Sequence, residues 1–420
     1  MRILILSQWF DPEPGFKGMV FARELKRRGH EVEVLTGFPN YPGGRVYAGY
    51  RVRLWQREEM EGIRVNRVAL YPSHDKSAWR RIGNYVSFAV SAAVLGPFLT
   101  KRPDVIYVYH PPLTAGLAGM VVGWLKRAPF VYDIQDLWPD TVGVSGMMKG
   151  GLALRVVGWF CGLVYGRAGR IVVLSPGFKR VLGERGVDGE KIEVIYNWCD
   201  EGAMKAAEAD EGLRAELGLG RGMVVMFAGT MGLAQGLDTV LEAARACEAR
   251  GMEGEFVMVG GGVARARLVE RARAMGLGRV RFVERQPAER MGAILALADV
   301  LLVHLRDEPL FRITIPSKTQ AYLAVGKPVL MGVRGDAAEV VRRAGAGVVF
   351  EPEDVESLVR AVGEFVEMGG EERARMGAAG RRFYEEELSL GVGVERFERV
   401  FKSVGRVAEL DTDSGAKETV

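Results

Sequence analysis

The run Ile315-Pro316-Ser317-Lys318 is where the sequence most plainly offers chemistry. Proline suits the first turn of a helix, where its missing N–H would have been unpaired anyway, and Gly326 suits the position just past the end. A helix over about 317–325 is predicted, with the amides of Ser317 and Lys318 unpaired at its start. The helix dipole favours anions there, the Lys318 ammonium adds a full charge, and the Ser317 hydroxyl adds a donor. The arrangement suits a phosphate. No GxxxxGK[ST] loop is present, so a P-loop NTPase is not indicated.

Three further segments could carry chemistry. In Phe227-Ala228-Gly229-Thr230-Met231-Gly232-Leu233-Ala234-Gln235-Gly236-Leu237, Gly229 and Gly232 would let backbone approach a diphosphate, and Thr230 and Gln235 could donate hydrogen bonds. Asp133-Ile134-Gln135-Asp136-Leu137-Trp138-Pro139-Asp140 sets carboxylates after a strand, where they could grip sugar hydroxyls or act as a base. Asp136 is the candidate for orienting a sugar or acceptor. The loop Asp11-Pro12-Glu13-Pro14-Gly15-Phe16-Lys17-Gly18 is a weaker signal: it is glycine-bearing, but no GxGxxG fingerprint.

These segments need strands to position them. Short apolar runs alternate with amphipathic stretches along the chain, the pattern of parallel sheets with crossover helices. Strands are expected at 2–7, 31–36, 64–70, 104–109, 129–134, 171–175 and 191–196. A second series is expected at 223–228, 255–260, 280–283, 300–304, 328–332 and 347–350. At 420 residues two domains are expected. The first spans 1–198 with a returning helix at about 390–405, the second spans 199–389, and a polar, disordered tail covers 406–420. In such sheets ligands bind beyond the carboxyl ends of the strands.

A formal net charge of +4, with both signs interspersed, argues against a dedicated nucleic-acid binder. Cys161, Cys199 and Cys247 form no CxxC pair, and His30, His74, His110 and His304 show no ligand spacing. A reducing compartment and no metal site are expected. His30, between a helix cap and a strand, is read as structural. Met1–Ser7 reads as a strand, so no secretory leader is expected. The apolar run Tyr85–Leu99 contains Pro97 and falls short of a bilayer span. A cytoplasmic location is expected, with contact at the inner face of the membrane suggested by Trp79-Arg80-Arg81 and Trp124-Leu125-Lys126-Arg127 beside apolar helices.

Together these segments resemble the retaining glycosyltransferases of family four, within them the bacterial enzymes of surface-polysaccharide synthesis, including those named as N-acetyl-fucosamine transferases. The marks are Phe38-Pro39-Asn40-Tyr41-Pro42-Gly43-Gly44, Asp133 to Pro139, Tyr196-Asn197-Trp198, Gly232 to Leu237 and Ile315 to Lys318, in that order along the chain. The resemblance implies an α/β GT-B fold, two facing Rossmann-like domains with an interdomain cleft. It implies a nucleoside diphosphate sugar as donor, UDP-linked and carrying an N-acetylated hexosamine or deoxyhexosamine. The acceptor would be a glycan or polyprenyl-linked molecule, and no cofactor is implied.

Carried over, the resemblance sets Ser317 and Lys318 at the β-phosphate, and Gly229, Thr230 and Gln235 by the diphosphate. Gly15 falls on the opposite wall, and Arg285, within Glu284-Arg285-Gln286-Pro287, near the base. Asn40, Tyr41 and Asp133 fall on the acceptor side, and Asp136, Gln135 and Lys318 are the candidate catalytic groups. The chain also departs from the family. Thr230 and Gln235 stand where it has Arg and Lys, Ile313 and Ala321 where it has two glutamates, and Gln135 where it has His. Glu308, Arg312 and Lys318 are expected to compensate. A nucleotide-sugar epimerase and a non-catalytic nucleotide- or sugar-binding partner are the alternative readings.

Overall fold

The computed structural model describes residues 1–15, 17–73, 77–141, 151–204 and 210–414, with 406–414 as backbone alone. Phe16, His74 and residues 415–420 of the expected tail lie outside the described residues. The chain divides into two compact units. One is Met1–Ile195 with the C-terminal segment from Val394, and the other is Tyr196–Gly393.

In the first unit the strands are β1 (Arg2–Leu6), β2 (Glu31–Gly37), β3 (Trp55–Met60), β4 (Ile63–Val68), β5 (Val105–His110), β6 (Phe130–Ile134), β7 (Arg170–Val173) and β8 (Ile192–Val194). They form one sheet in the order β3-β4-β2-β1-β5-β6-β7-β8. All neighbours are parallel except β3, which runs antiparallel to β4. Strand β3 was not expected: Trp55-Gln56-Arg57-Glu58-Glu59-Met60 is polar because it lies at a sheet edge, where charge blunts pairing with other chains.

The helices of this unit that bear on function are α1 (Met19–Arg27), α2 (Ala78–Leu99), α3 (Leu113–Lys126) and α4 (Gly151–Arg167). Helix α2 starts well before the apolar run read from sequence and reaches 22 residues, with Pro97 in its last turn. By length and composition alone it could cross a membrane. The C-terminal helix Leu390–Ser414 also runs further than expected, continuing into the segment read as a disordered tail. Phe397 packs against Phe21 and Tyr107, at centroid distances of 5.2 and 5.5 Å. Glu398 holds His30 at 2.6 Å and Arg28 at 3.0 Å.

The second unit contains β9 (Val224–Ala228), β10 (Glu255–Val259), β11 (Val280–Val283), β12 (Val300–His304), β13 (Val329–Gly332) and β14 (Gly347–Val349), all parallel. Their order is β11-β10-β9-β12-β13-β14. Every residue of β9, β12 and β13 is buried, as a sheet covered on both faces requires. Numbered by appearance, this sheet has the doubly wound 3-2-1-4-5-6 order, so its switch point lies between β9 and β12. The corresponding point in the first sheet lies between β1 and β5.

Candidate functional site

In the second unit, the loop after β9 and the start of the Ser317–Val325 helix meet at that switch point. The helix is capped by Pro316 and closed by Gly326 in the left-handed conformation, φ 78°. Proline therefore stands one place before the first helical residue. The first backbone bond runs from Thr319 N–H to the Pro316 carbonyl, 2.8 Å, so the Ser317 and Lys318 amides precede it and lack intrahelical partners.

Tyr322, one turn further into the helix, fixes it against the sheet. Its hydroxyl accepts the Ala228 N–H at 2.9 Å and donates to the Ala228 carbonyl at 3.1 Å. That clamp brings the next residue, Gly229, against Lys318. Gly229 has φ +141°, and a Cβ there would lie 3.2 Å from the Lys318 Nζ. The Nζ itself is buried without a hydrogen-bond partner and sits 3.7 Å from the Phe227 ring centroid. Desolvation lowers its pKa from 10.5 to about 7. An unpartnered amine beside a glycine turn and a helix start can hold an anion that supplies the missing acceptor and restores the charge.

The loop after β9 is itself held in place. The Met231 N–H donates to the Gly261 carbonyl at 2.7 Å, and a Cβ on Gly260 would meet the Gly229 carbonyl oxygen. His304, buried at the end of β12, bridges the Gln235 carbonyl (2.7 Å at Nδ1) and the Glu353 N–H (3.1 Å at Nε2). Those bonds assign the proton to Nδ1, and burial holds the imidazole below its ordinary pKa. Thr230 and Ser317 are exposed beside this loop and helix.

In the first unit, the loops after β1 and β2 are joined by a buried carboxylate. The Glu13 carboxylate accepts N–H bonds from Phe10 (3.2 Å), Asn40 (2.6 Å) and Tyr41 (2.7 Å). Burial pushes its pKa up to about 7. Tyr41 stacks on Trp9 with centroids 4.5 Å apart. Asp136, half-buried beyond β6, has its pKa raised by desolvation; burial first, and the Asp136 charge in addition, raise those of Tyr41, Tyr85 and Tyr109. Asp136 therefore sits among phenols at the carboxyl edge of the sheet, where hydroxyl-rich ligands can be gripped.

The two halves of the chain match two family models. Residues 19–198 match a glycosyl transferase 4-like domain, and residues 211–383 match glycosyl transferases group 1. The chain belongs to the family-four glycosyltransferases. WcaI of Escherichia coli K12, named for glycosyl transfer in colanic acid biosynthesis, is 29% identical over 379 residues, 86% of this chain and 91% of its own. WbjE of Pseudomonas aeruginosa, named as a glycosyltransferase, is 24% identical over 301 residues, 71% of this chain and 74% of its own. The Anabaena HepE structure in complex with UDP has a TM-score of 0.67 at 16% identity, covering 96% of this chain and 100% of that one. The fold is GT-B.

Within this glycosyltransferase the expected site residues fare differently. Lys318, Gly229, Thr230 and Ser317 gather at one switch point, as just described. Gln235 lies in the same loop, but its Oε1 accepts the Gly232 N–H at 2.9 Å and shapes the turn. Arg312 is exposed and paired with Asp307 at 2.8 Å. Glu308, Arg285 and Gly15 are exposed.

Asp133 and Asn40 are both buried inside the first unit. Asp133 is fully buried, with Lys17 Nζ at 2.6 Å, the Tyr107 hydroxyl at 2.5 Å and Gln135 Nε2 at 2.6 Å. Those bonds occupy both carboxylate oxygens inside the unit and tie the Gln135 side chain to Asp133. The Asn40 side chain is likewise buried, bonding the Phe38 carbonyl and Asn84. Sequence reasoning did not single out Tyr322, His304, Glu13 or Gly260. Of these, Gly260-Gly261-Gly262 after a strand was the visible signal.

Among the described residues, no three His, Cys, Asp or Glu cluster in a way that could hold a metal ion.

Proposed function

We propose that the chain transfers a sugar from a UDP-linked donor, with retention at the anomeric carbon, to a glycan or polyprenyl-linked acceptor at the cytoplasmic face of the membrane in surface-polysaccharide synthesis. The observation that carries this reading is the buried, unpartnered Lys318 Nζ beside Gly229 at a helix start. As the glycosidic bond breaks, the diphosphate gains negative charge and the sugar becomes oxocarbenium-like. Donors fixed in advance where that charge grows lower the barrier most. Here they are the Ser317 and Lys318 amides, the Lys318 ammonium and the Thr230 hydroxyl.

We take Asp136 to orient a sugar or acceptor hydroxyl, with Tyr41 beside it. The lysine and the helix start supply the positive charge that a divalent ion supplies in other transferases, so activity should survive EDTA. An N-acetylated hexosamine or deoxyhexosamine is the donor sugar we favour, from the resemblance to the N-acetyl-fucosamine enzymes. The names of the relatives and the UDP complex of HepE support the substrate class.

A panel of nucleotide sugars, scored for UDP release and for anomeric configuration by NMR, tests the proposal. Acceptor-dependent release with retention is expected. Interconversion of donor without acceptor would instead identify an epimerase, and UDP binding without any release would identify a binding partner.

A further inference from the structure

We propose that helices α2, α3 and α4 form a docking face for an anionic lipid bilayer. The helices are adjacent, α3 packing against both α2 and α4. Helix α2 buries Asn84, Tyr85, Phe88, Ala89, Ala92 and Gly96, and its other side carries exposed Val86, Val90, Val94 and Phe98, spaced four apart. That spacing makes a stripe along one helix face. Phe98 is 85% exposed, Trp79 83% and Trp124 76%. Helix α4 adds Leu152, Val156 and Trp159 on one face of its own. Exposed apolar side chains gathered on three adjacent helices of a folded unit mark a place where something binds.

Charge identifies the occupant. The chain has 53 Asp and Glu, yet none lies in α2, α3 or α4. Their cations are Arg80 and Arg81 at the start of α2, Lys126 at the end of α3, and Arg155 and Arg167 in α4. Lys101-Arg102 follows α2, and Arg127 follows α3. A protein partner of ordinary composition would not require three helices free of carboxylates, whereas anionic headgroups do. Tryptophans beside cations and an apolar stripe are the composition of a surface lying in the headgroup region.

Helix α2 is long enough to span a bilayer, but its other face is committed to the unit. Asn84 accepts from Gln8 at 2.5 Å and donates to Asn40 at 3.2 Å and to the Tyr71 carbonyl at 2.7 Å. A Cβ on Gly96 would press on Leu35 and touch Val122, so the helix is packed tightly there too. With cations at both ends and one face fixed, α2 lies in the membrane plane. The nucleotide site belongs to the other unit, so this inference stands apart from the donor assignment.

Vesicle flotation of the full chain tests it, comparing phosphatidylcholine alone with phosphatidylcholine containing about a third phosphatidylglycerol. The chain is expected to float with the anionic vesicles and to be released from them by high salt. Val90→Glu with Val94→Glu and Phe98→Glu should lower the partition by roughly tenfold or more, and Arg127→Glu with Arg155→Glu should remove the preference for anionic lipid. Circular dichroism and the melting temperature, unchanged in both variants, show that folding is intact. Equal flotation of parent and triple variant, or no flotation of the parent, would overturn the proposal. So would a parent dimer that the triple variant makes monomeric, because a second copy would then cover the face.

Discussion

The Nζ of Lys318 stands 3.7 Å from the centroid of the Phe227 ring, with no hydrogen-bond acceptor in reach. An aromatic face attracts a cation but does not replace water, so the amine is stabilised only in part. Its pKa falls to about 7, and a bound phosphate would restore the ordinary ammonium.

That shift gives a signed pH dependence. Between about 7 and 10.5 the unfolded chain holds a proton that the folded, ligand-free chain lacks. Stability therefore rises with pH through that window, and the penalty is fully present below 7. Lys318→Met should flatten this rise in urea unfolding at pH 6.5 and 9. Binding of UDP at pH 8 should take up close to one proton, seen by calorimetry in buffers of different ionisation enthalpy, and the variant should take up none.

On turnover, Lys318→Ala should lower kcat by about tenfold to a thousandfold, the range for removing one donor to developing charge. Steady-state rates with the donor found in the nucleotide-sugar panel check this, and a rate near that of the parent would remove Lys318 from the chemistry.

Gly229→Ala should be more damaging than its size suggests. The residue adopts φ +141°, and the new methyl group would lie 3.2 Å from Lys318 Nζ. Strain at such a φ is about 1–3 kcal/mol, and the displaced amine adds to it. A loss of UDP affinity of at least roughly tenfold, measured by calorimetry, is expected.

The Lys17–Asp133 pair yields a stability prediction. Both side chains are buried, 2.6 Å apart. Lys17→Met leaves a buried carboxylate without its cation, a loss of about 3–5 kcal/mol. Adding Asp133→Asn should recover part of it, since the amide still bonds neighbours without carrying charge. Denaturant midpoints of the two variants measure this.

Glu13 gives the opposite pH sign. Its pKa is raised from 4.5 to about 7, so the folded chain holds the extra proton between those values. Stability falls as pH rises through that window. Glu13→Gln should remove the slope, at a loss of roughly 1 kcal/mol at pH 5, because one of the three backbone donors then faces an NH₂ group.

Much of this was readable from residue patterns. Nearly continuous apolar strands announced the parallel sheets, and Pro316 with Gly326 announced the helix between them. The sorting of the two aspartates was not readable. Asp133 lies within β6, and its partner Lys17 is 116 residues away, so only folding reveals that the pair is internal. Asp136 lies just past the strand end, where burial is incomplete. Tyr322 and His304 looked like ordinary core residues, because a clamp and a strut differ from packing only by the atoms they reach. Strand β3 was missed because a polar edge strand lacks the apolar signal that marked the others.

A crystal structure of the chain with UDP tests the central claim most directly. The β-phosphate is predicted to lie within hydrogen-bond distance of the Ser317 and Lys318 amides and of the Lys318 Nζ, beside Gly229. A diphosphate bound elsewhere, with the Lys318 Nζ still against Phe227 and no oxygen beside it, would contradict the account.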